Sequence, residues 1–141
     1  MKISARNALA GTVTKVTRGA VNAEVDLSLK GGGDVVAVIT NSSADSLGLK
    51  EGKAAYAIIK ASSVMIAKDS PIKLSARNAL GGTVASVQDG AVDSEVTLKL
   101  SGGSDLVAII TKDSAKSLGL KAGEPATAIV KASSVLVGVD H

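Results

Sequence analysis

Cysteine, phenylalanine and tryptophan are absent from these 141 residues, and Tyr56 is the sole aromatic side chain. The lack of cysteine removes disulfides, thiolate metal sites and cysteine nucleophiles together. The lack of Phe and Trp leaves Val, Ile, Leu and Ala to build the core, which suits short strands in tight layers but buries little area per side chain. Small cores of that kind commonly draw on oligomerisation. The one histidine is His141, the last residue, where a frayed end outweighs a catalytic role. Serine-triad and zinc-hydrolase schemes thereby lose their usual members. No catalytic residue and no metal-cation site is assigned, and the chain reads as a non-enzyme without a cofactor. No apolar run approaches the roughly 20 residues that span a bilayer. Met1-Lys2-Ile3-Ser4 lacks a signal-peptide core, so a soluble cytoplasmic protein is expected, with no membrane contact. The net charge of +3 is too small and too dispersed to mark a nucleic-acid surface.

What the chain does have is a duplication. Residues 3–67 lie on residues 74–138 with a constant offset and no gap, about 40 of about 65 positions being identical, which marks two copies of one module. The domains are read as 1–67 and 74–141. Between them Lys68-Asp69-Ser70-Pro71-Ile72-Lys73 is polar and carries one of two prolines, hence a short linker over 68–73.

Within each copy the clearest pattern is alternation. Val21, Ala23, Val25, Leu27 and Leu29 are expected inward, with Asn22, Glu24, Asp26, Ser28 and Lys30 outward. The second copy repeats this with Val92, Val96, Leu98 and Leu100, Ser94 being a polar interruption. Upstream, the β-branched segment from Gly11 to Val16 ends at Gly19 and forms an opening hairpin with this strand. The Gly31-Gly32-Gly33-Asp34 turn leads to a third strand over 35–39. Asn41 to Gly48 has capping residues in front and glycine behind, which fits one or two helical turns. Strands over 54–60 and 64–66 complete the module. The fold class is therefore all-β: two tandem OB-like five-stranded barrels, each with one short helix.

The glycines at 31–33 lack the Lys-Ser/Thr ending of a phosphate loop and read as a hairpin turn. Glu24 and Glu95 recur on the polar strand face and read as solvated or interface-paired rather than as acid–base catalysts. Two repeated segments are harder to assign to scaffolding: Ser4-Ala5-Arg6-Asn7 with Ser75-Ala76-Arg77-Asn78, and Lys60-Ala61-Ser62-Ser63 with Lys131-Ala132-Ser133-Ser134. Both put hydroxyls and a cation where a strand starts or breaks, leaving backbone N–H groups free. The result is a cluster of donors without a carboxylate. Such a cluster suits a fully ionised dianion such as molybdate, tungstate or sulfate, because phosphate near neutral pH often carries a proton in need of an acceptor. Thr40 with Ser43, and Thr111 with Ser114, add donors at the start of the helical turn, a position that also reads as an ordinary N-cap.

The ordered set Ser-Ala-Arg-Asn-x-Leu-x-Gly (4–11 and 75–82), Gly-Ala-Val-x-x-Glu-Val (19–25 and 90–96) and Lys-Ala-Ser-x-Val (60–64 and 131–135) resembles the Mop module of the molbindins, over nearly the whole chain. The resemblance implies an OB-like barrel per module, assembly into homotrimers, and cytoplasmic storage of molybdate or tungstate between modules. One set of sites would use Ser4, Ala5 and Arg6 from one module with Thr40, Ser43, Lys60, Ala61 and Ser62 from a neighbour. The second copy would offer Ser75, Ala76, Arg77, Thr111, Ser114, Lys131, Ala132 and Ser133. A further, axial class of site would use Gly19, Ala20, Val21 and Asn22, and in the second copy Gly90, Ala91, Val92 and Asp93. Asn22 stands opposite Asp93 in the alignment, so an added carboxylate sets the two axial sites apart. In molybdate-dependent regulators and transport ATPases the module is joined to other domains, for which 141 residues leave no room; free-standing binding is the expectation. The alternative is an OB-fold module that binds nucleic acid or a protein partner without storing oxyanions. One tyrosine supplies no platform for stacked bases, which disfavours nucleic acid.

Overall fold

Alternation of apolar residues sets the strands, and a computed structural model describing residues 3–69 and 73–141 shows where they run. In the first copy these are β1 (Arg6–Arg18), β2 (Asn22–Leu29), β3 (Asp34–Thr40), β4 (Ala54–Lys60) and β5 (Met65–Ala67). Helix α1 (Asn41–Ser46) follows β3, and a 3-10 turn, Ala61–Ser63, joins β4 to β5. The second copy gives β6 (Asn78–Asp89), β7 (Asp93–Leu100), β8 (Asp105–Thr111), α2 (Lys112–Leu118), β9 (Pro125–Val130), the turn Ala132–Ser134 and β10 (Val135–Gly138). The expected linker residues Ser70, Pro71 and Ile72 lie outside the described residues.

Ala23, Val25, Leu27 and Leu29 of β2 are buried, as their alternation demands. Val21 and Val92, expected inward, are 70% and 73% exposed. They stand in the tight turns before β2 and β7, where the two-residue period has not yet begun. Ser94 is fully buried, and its hydroxyl donates to Asp89 Oδ1 at 2.6 Å, which satisfies the one polar group on that inner face.

The first strand is longer than its β-branched part. Its first half pairs with β4 and its second half with β2, so β1 turns the corner of a half-barrel. Gly11 sits at that corner, opposite both Leu29 and Ala55, and a Cβ there would lie 2.5 Å from the Ser28 carbonyl oxygen. Only glycine permits this approach of two backbones. Beyond it Thr14 is an unpaired bulge residue that increases the local bend.

The molecule has two five-stranded sheets, as expected, but they exchange one strand. Their orders are β10-β4-β1-β2-β3 and β5-β9-β6-β7-β8, so each sheet takes its fifth strand from the other copy. Val135 pairs with Ile59 and Met65 with Ile129 in antiparallel register. The exchange is possible because the two copies present nearly the same strand edge to each other, the condition for swapping an element at low cost. One apolar cluster runs through both halves.

Other contacts also cross between copies. Asn7, 2% exposed, donates from Nδ2 to the Val107 carbonyl at 2.8 Å, and its Oδ1 accepts from the Val107 N–H at 2.8 Å. Asn78 makes the same two contacts with Val36, both at 2.8 Å. Strands β3 and β8 are sheet edges, so each asparagine acts as one rung of a missing neighbouring strand. The glycine loops meet as well: a Cβ at Gly102 would lie 2.3 Å from the Gly32 carbonyl oxygen. The cluster at 31–33 is a hairpin turn packed against its own repeat.

From the start of the linker, Lys68 donates to Glu124 Oε2 at 2.6 Å and to the Gly119 carbonyl at 3.1 Å. The hydrogen bond and charge of Lys68 hold the Glu124 carboxyl below its ordinary range, with Lys121 adding to the effect. A depressed carboxylate stabilises the fold above its unfolded-state value, and that contribution is lost as pH falls through the folded-state value. The melting temperature of Lys68→Met is therefore expected to lie below wild type at neutral pH and to converge with it as pH drops below the ordinary glutamate range. Parallel melting curves across that range would show that the pair contributes nothing.

Candidate functional site

Because β1 and β4 pair in register, Arg6 at the start of β1 stands directly opposite Lys60 at the end of β4. In the second copy Asn78 pairs with Val130, which brings Arg77 and Lys131 together in the same way. Around the latter pair is a cavity of about 470 Å³, lined by Ser75, Ala76, Arg77, Lys131, Ala132 and Ser133, with Val38, Met65, Leu74 and Ile129 forming its apolar wall. Val38 and Met65 belong to the first copy, so the cavity lies at the junction of the two. Ser4, Arg6, Lys60 and Ser62 are exposed, as are their counterparts Ser75, Arg77, Lys131 and Ser133, while Ala61 and Ala132 are buried anchors.

The Ser-Ala-Arg and Lys-Ala-Ser segments of one copy lie together in that copy, because β1 and β4 are neighbours. It is the Thr-x-x-Ser segment that crosses over: Ser62 shares a second cavity, of about 640 Å³, with Asp113, Ser114 and Ser117 of the other copy.

Thr40 caps α1. Its Oγ1 accepts from the Ser43 N–H at 3.0 Å and donates to Ser43 Oγ at 2.9 Å, an arrangement that leaves the Ser43 hydroxyl proton available. Thr111 and Ser114 repeat it. The Ala61 N–H, expected to be free, donates to the Ala5 carbonyl at 3.0 Å, since the strand pairing reaches one step beyond the Arg6–Lys60 rung.

Nor is the donor cluster without carboxylates. Arg6 Nη2 bonds Glu95 Oε1 at 2.6 Å, and Arg77 Nη1 bonds Glu24 Oε1. Each pair joins one copy to the other. The two glutamates read as solvated or interface-paired are thus the counter-ions of the two site arginines.

At the turns read as axial sites, the Gly19 N–H donates to the Asn22 carbonyl at 2.8 Å and the Gly90 N–H to Asp93 at 2.7 Å. Ala20 and Ala91 are exposed beside Val21 and Val92. Asp93 shares a cavity of about 360 Å³ with Asp89 and Glu95. Arg18 and Asn22 occupy the corresponding places in the first copy, so the second turn is markedly more acidic.

Asn7 and Asn78 were not selected as site residues from the sequence. A signal was present, since each alternates in step with a neighbouring leucine, Asn7 with buried Leu9, which puts a polar group inward.

The sequence profile of the TOBE domain matches residues 3–66 and again 74–137. The chain is 49% identical over 140 residues to the molybdenum-pterin-binding protein MopA of Rhodobacter capsulatus, covering 99% of this chain and 53% of that protein. It is 45% identical over 139 residues to the molybdenum transport protein ModE of Azotobacter vinelandii, covering 99% and 52%. The chain therefore spans about half the length of these curated relatives. Among solved structures it is similar to the cytoplasmic molybdate-binding protein ModG with molybdate bound, at 50% identity and a TM-score of 0.97 over 99% of this chain and 100% of the other.

Proposed function

The chain belongs to the TOBE domain family, with two copies of the domain in tandem, and on that premise we propose that it binds molybdate, or tungstate, and stores it rather than transforming it. The observation that carries this reading is the convergence of Arg77, Lys131, Ser75 and Ser133 on one cavity at the junction of the copies. Two cations and two hydroxyls offer a tetrahedral dianion a set of donors, and Glu24, the carboxylate that bonds Arg77, is not among the lining residues. A protonated phosphate would present a donor where acceptors are scarce. Arg6, Lys60, Ser4 and Ser62, with Ala5 and Ala61 as backbone supports, supply the equivalent set in the first copy.

The exposed position of these donors supports sites completed by a neighbouring chain, whose Thr40 and Ser43, or Thr111 and Ser114, would close over the oxyanion. The apolar side chains Val21, Val92, Met65, Leu74 and Leu136, about half exposed or more, supply the surface for a homotrimer. The turns at 19–22 and 90–93 would then meet near its axis, with Asp93 weakening anion binding at one end. A cytoplasmic location agrees with the described location of the solved relative.

Titration calorimetry with molybdate, sulfate and phosphate, alongside mass determination in solution, tests this reading. Uptake of several molybdates by a particle of three chains, with phosphate clearly weaker, is the expected result. No heat with molybdate, or equal affinity for phosphate, would overturn oxyanion selectivity; a monomer that binds fully would overturn the shared sites.

A further inference from the structure

We propose that Glu24 and Glu95 are built-in competitors for the site arginines, so that each copy's strand glutamate sets the oxyanion affinity of the other copy's site. This rests on the oxyanion reading above and adds a regulating element to it. Glu24 is the cross-strand partner of Val38, and Val38 forms part of the wall of the cavity that holds Arg77. From that position its carboxylate bonds Arg77 Nη1. Glu95, opposite Ile109 on β7 and β8, reaches Arg6 in the same way.

The charge balance gives the arrangement its effect. Arg77 and Lys131 bring two positive charges to the cavity, and Glu24 at its edge cancels one of them. A dianion arriving there meets about half the attraction the cations alone would exert, because the carboxylate repels it. The guanidinium side chains are 45% and 54% exposed, and each contact is made through one nitrogen rather than a bidentate fork. A pair of that kind is weakly held and exchanges readily for a stronger counter-ion. A molybdate that takes Arg77 therefore releases Glu24, which belongs to the opposite copy.

Molybdate titrations of wild type, Glu24→Gln, Glu95→Gln and the double variant at one fixed salt concentration test the proposal. Gln keeps the shape and an acceptor oxygen while removing the charge. Each single variant is expected to tighten one set of sites about two- to fivefold, and the double variant both sets, with melting temperatures close to wild type. Glu24→Ala, which also removes the acceptor, should tighten binding at least as much. Unchanged affinity overturns the proposal, and so does weaker affinity, which would make the glutamates positioning arms for the arginines. Wild type that binds molybdate while the Gln variants bind no better sinks this inference alone. Wild type that takes up no molybdate sinks it together with the reading on which it rests.

Discussion

Asn7→Ala combined with Asn78→Ala is expected to lower unfolding stability by about 4 kcal/mol or more, a large share of the roughly 5–15 kcal/mol of a typical domain. Each asparagine satisfies both the N–H and the carbonyl of one edge-strand residue, Val107 or Val36. Removing the side chain leaves both groups without their partner, at about 1–3 kcal/mol for each one that water does not reach. Asn7 also donates to the Ile59 carbonyl at 3.1 Å, so its loss affects its own sheet as well. Urea unfolding at a fixed protein concentration measures the effect, because any oligomer adds a concentration term. Asn7→Asp with Asn78→Asp supplies the chemical control: the shape remains, but an ionised carboxylate cannot donate to the valine carbonyls. It should lose most of the same stability. A loss of less than about 1 kcal/mol in the double alanine variant would mean that the edges are held by packing alone.

Lys60→Ala with Lys131→Ala is expected to weaken molybdate binding by at least tenfold while leaving the fold in place. A charge-assisted hydrogen bond contributes about 1.5–3 kcal/mol, which corresponds to about ten- to 150-fold in affinity. Both lysines are exposed at strand ends, and no ion pair of either is found among the described residues, so little folding energy depends on them. Calorimetric titration combined with circular dichroism separates the outcomes. Binding unchanged would remove the lysines from the site, and a collapsed spectrum would make them structural.

Much of this was legible in the sequence, and the reasons are local. The alternation in Ala23, Val25, Leu27 and Leu29 reports burial directly, so strand, face and register could be read from residue types. Thr40 and Ser43 announced a cap because the capping chemistry lies within four residues. The fold class follows from these pieces, and the likeness to the solved molybdate-binding relative agrees with it. What sequence could not give was partnership. Val64 to Ala67 looks the same whether it pairs with β4 or β9, because the duplication makes both edges nearly equivalent. For the same reason Glu24 read only as solvated or interface-paired, with no partner named, although its carboxylate meets Arg77, 53 positions away. Pairwise contacts between near-identical copies leave no mark in either copy taken singly.

The exchanged strands also restrict how this chain can change over time. A substitution in β10 is tested not against its own copy but against Ile58 and Ile59 of the first, which Leu136 and Val135 face. Arg6 depends on Glu95 and Asn7 on Val107, so the first copy's most distinctive motif has its partners in the second. Ordinarily a duplicated gene frees one half to drift while the other keeps the old task. Here a change in either half meets the other across these contacts, and a new property gained by one copy has to be compatible with both.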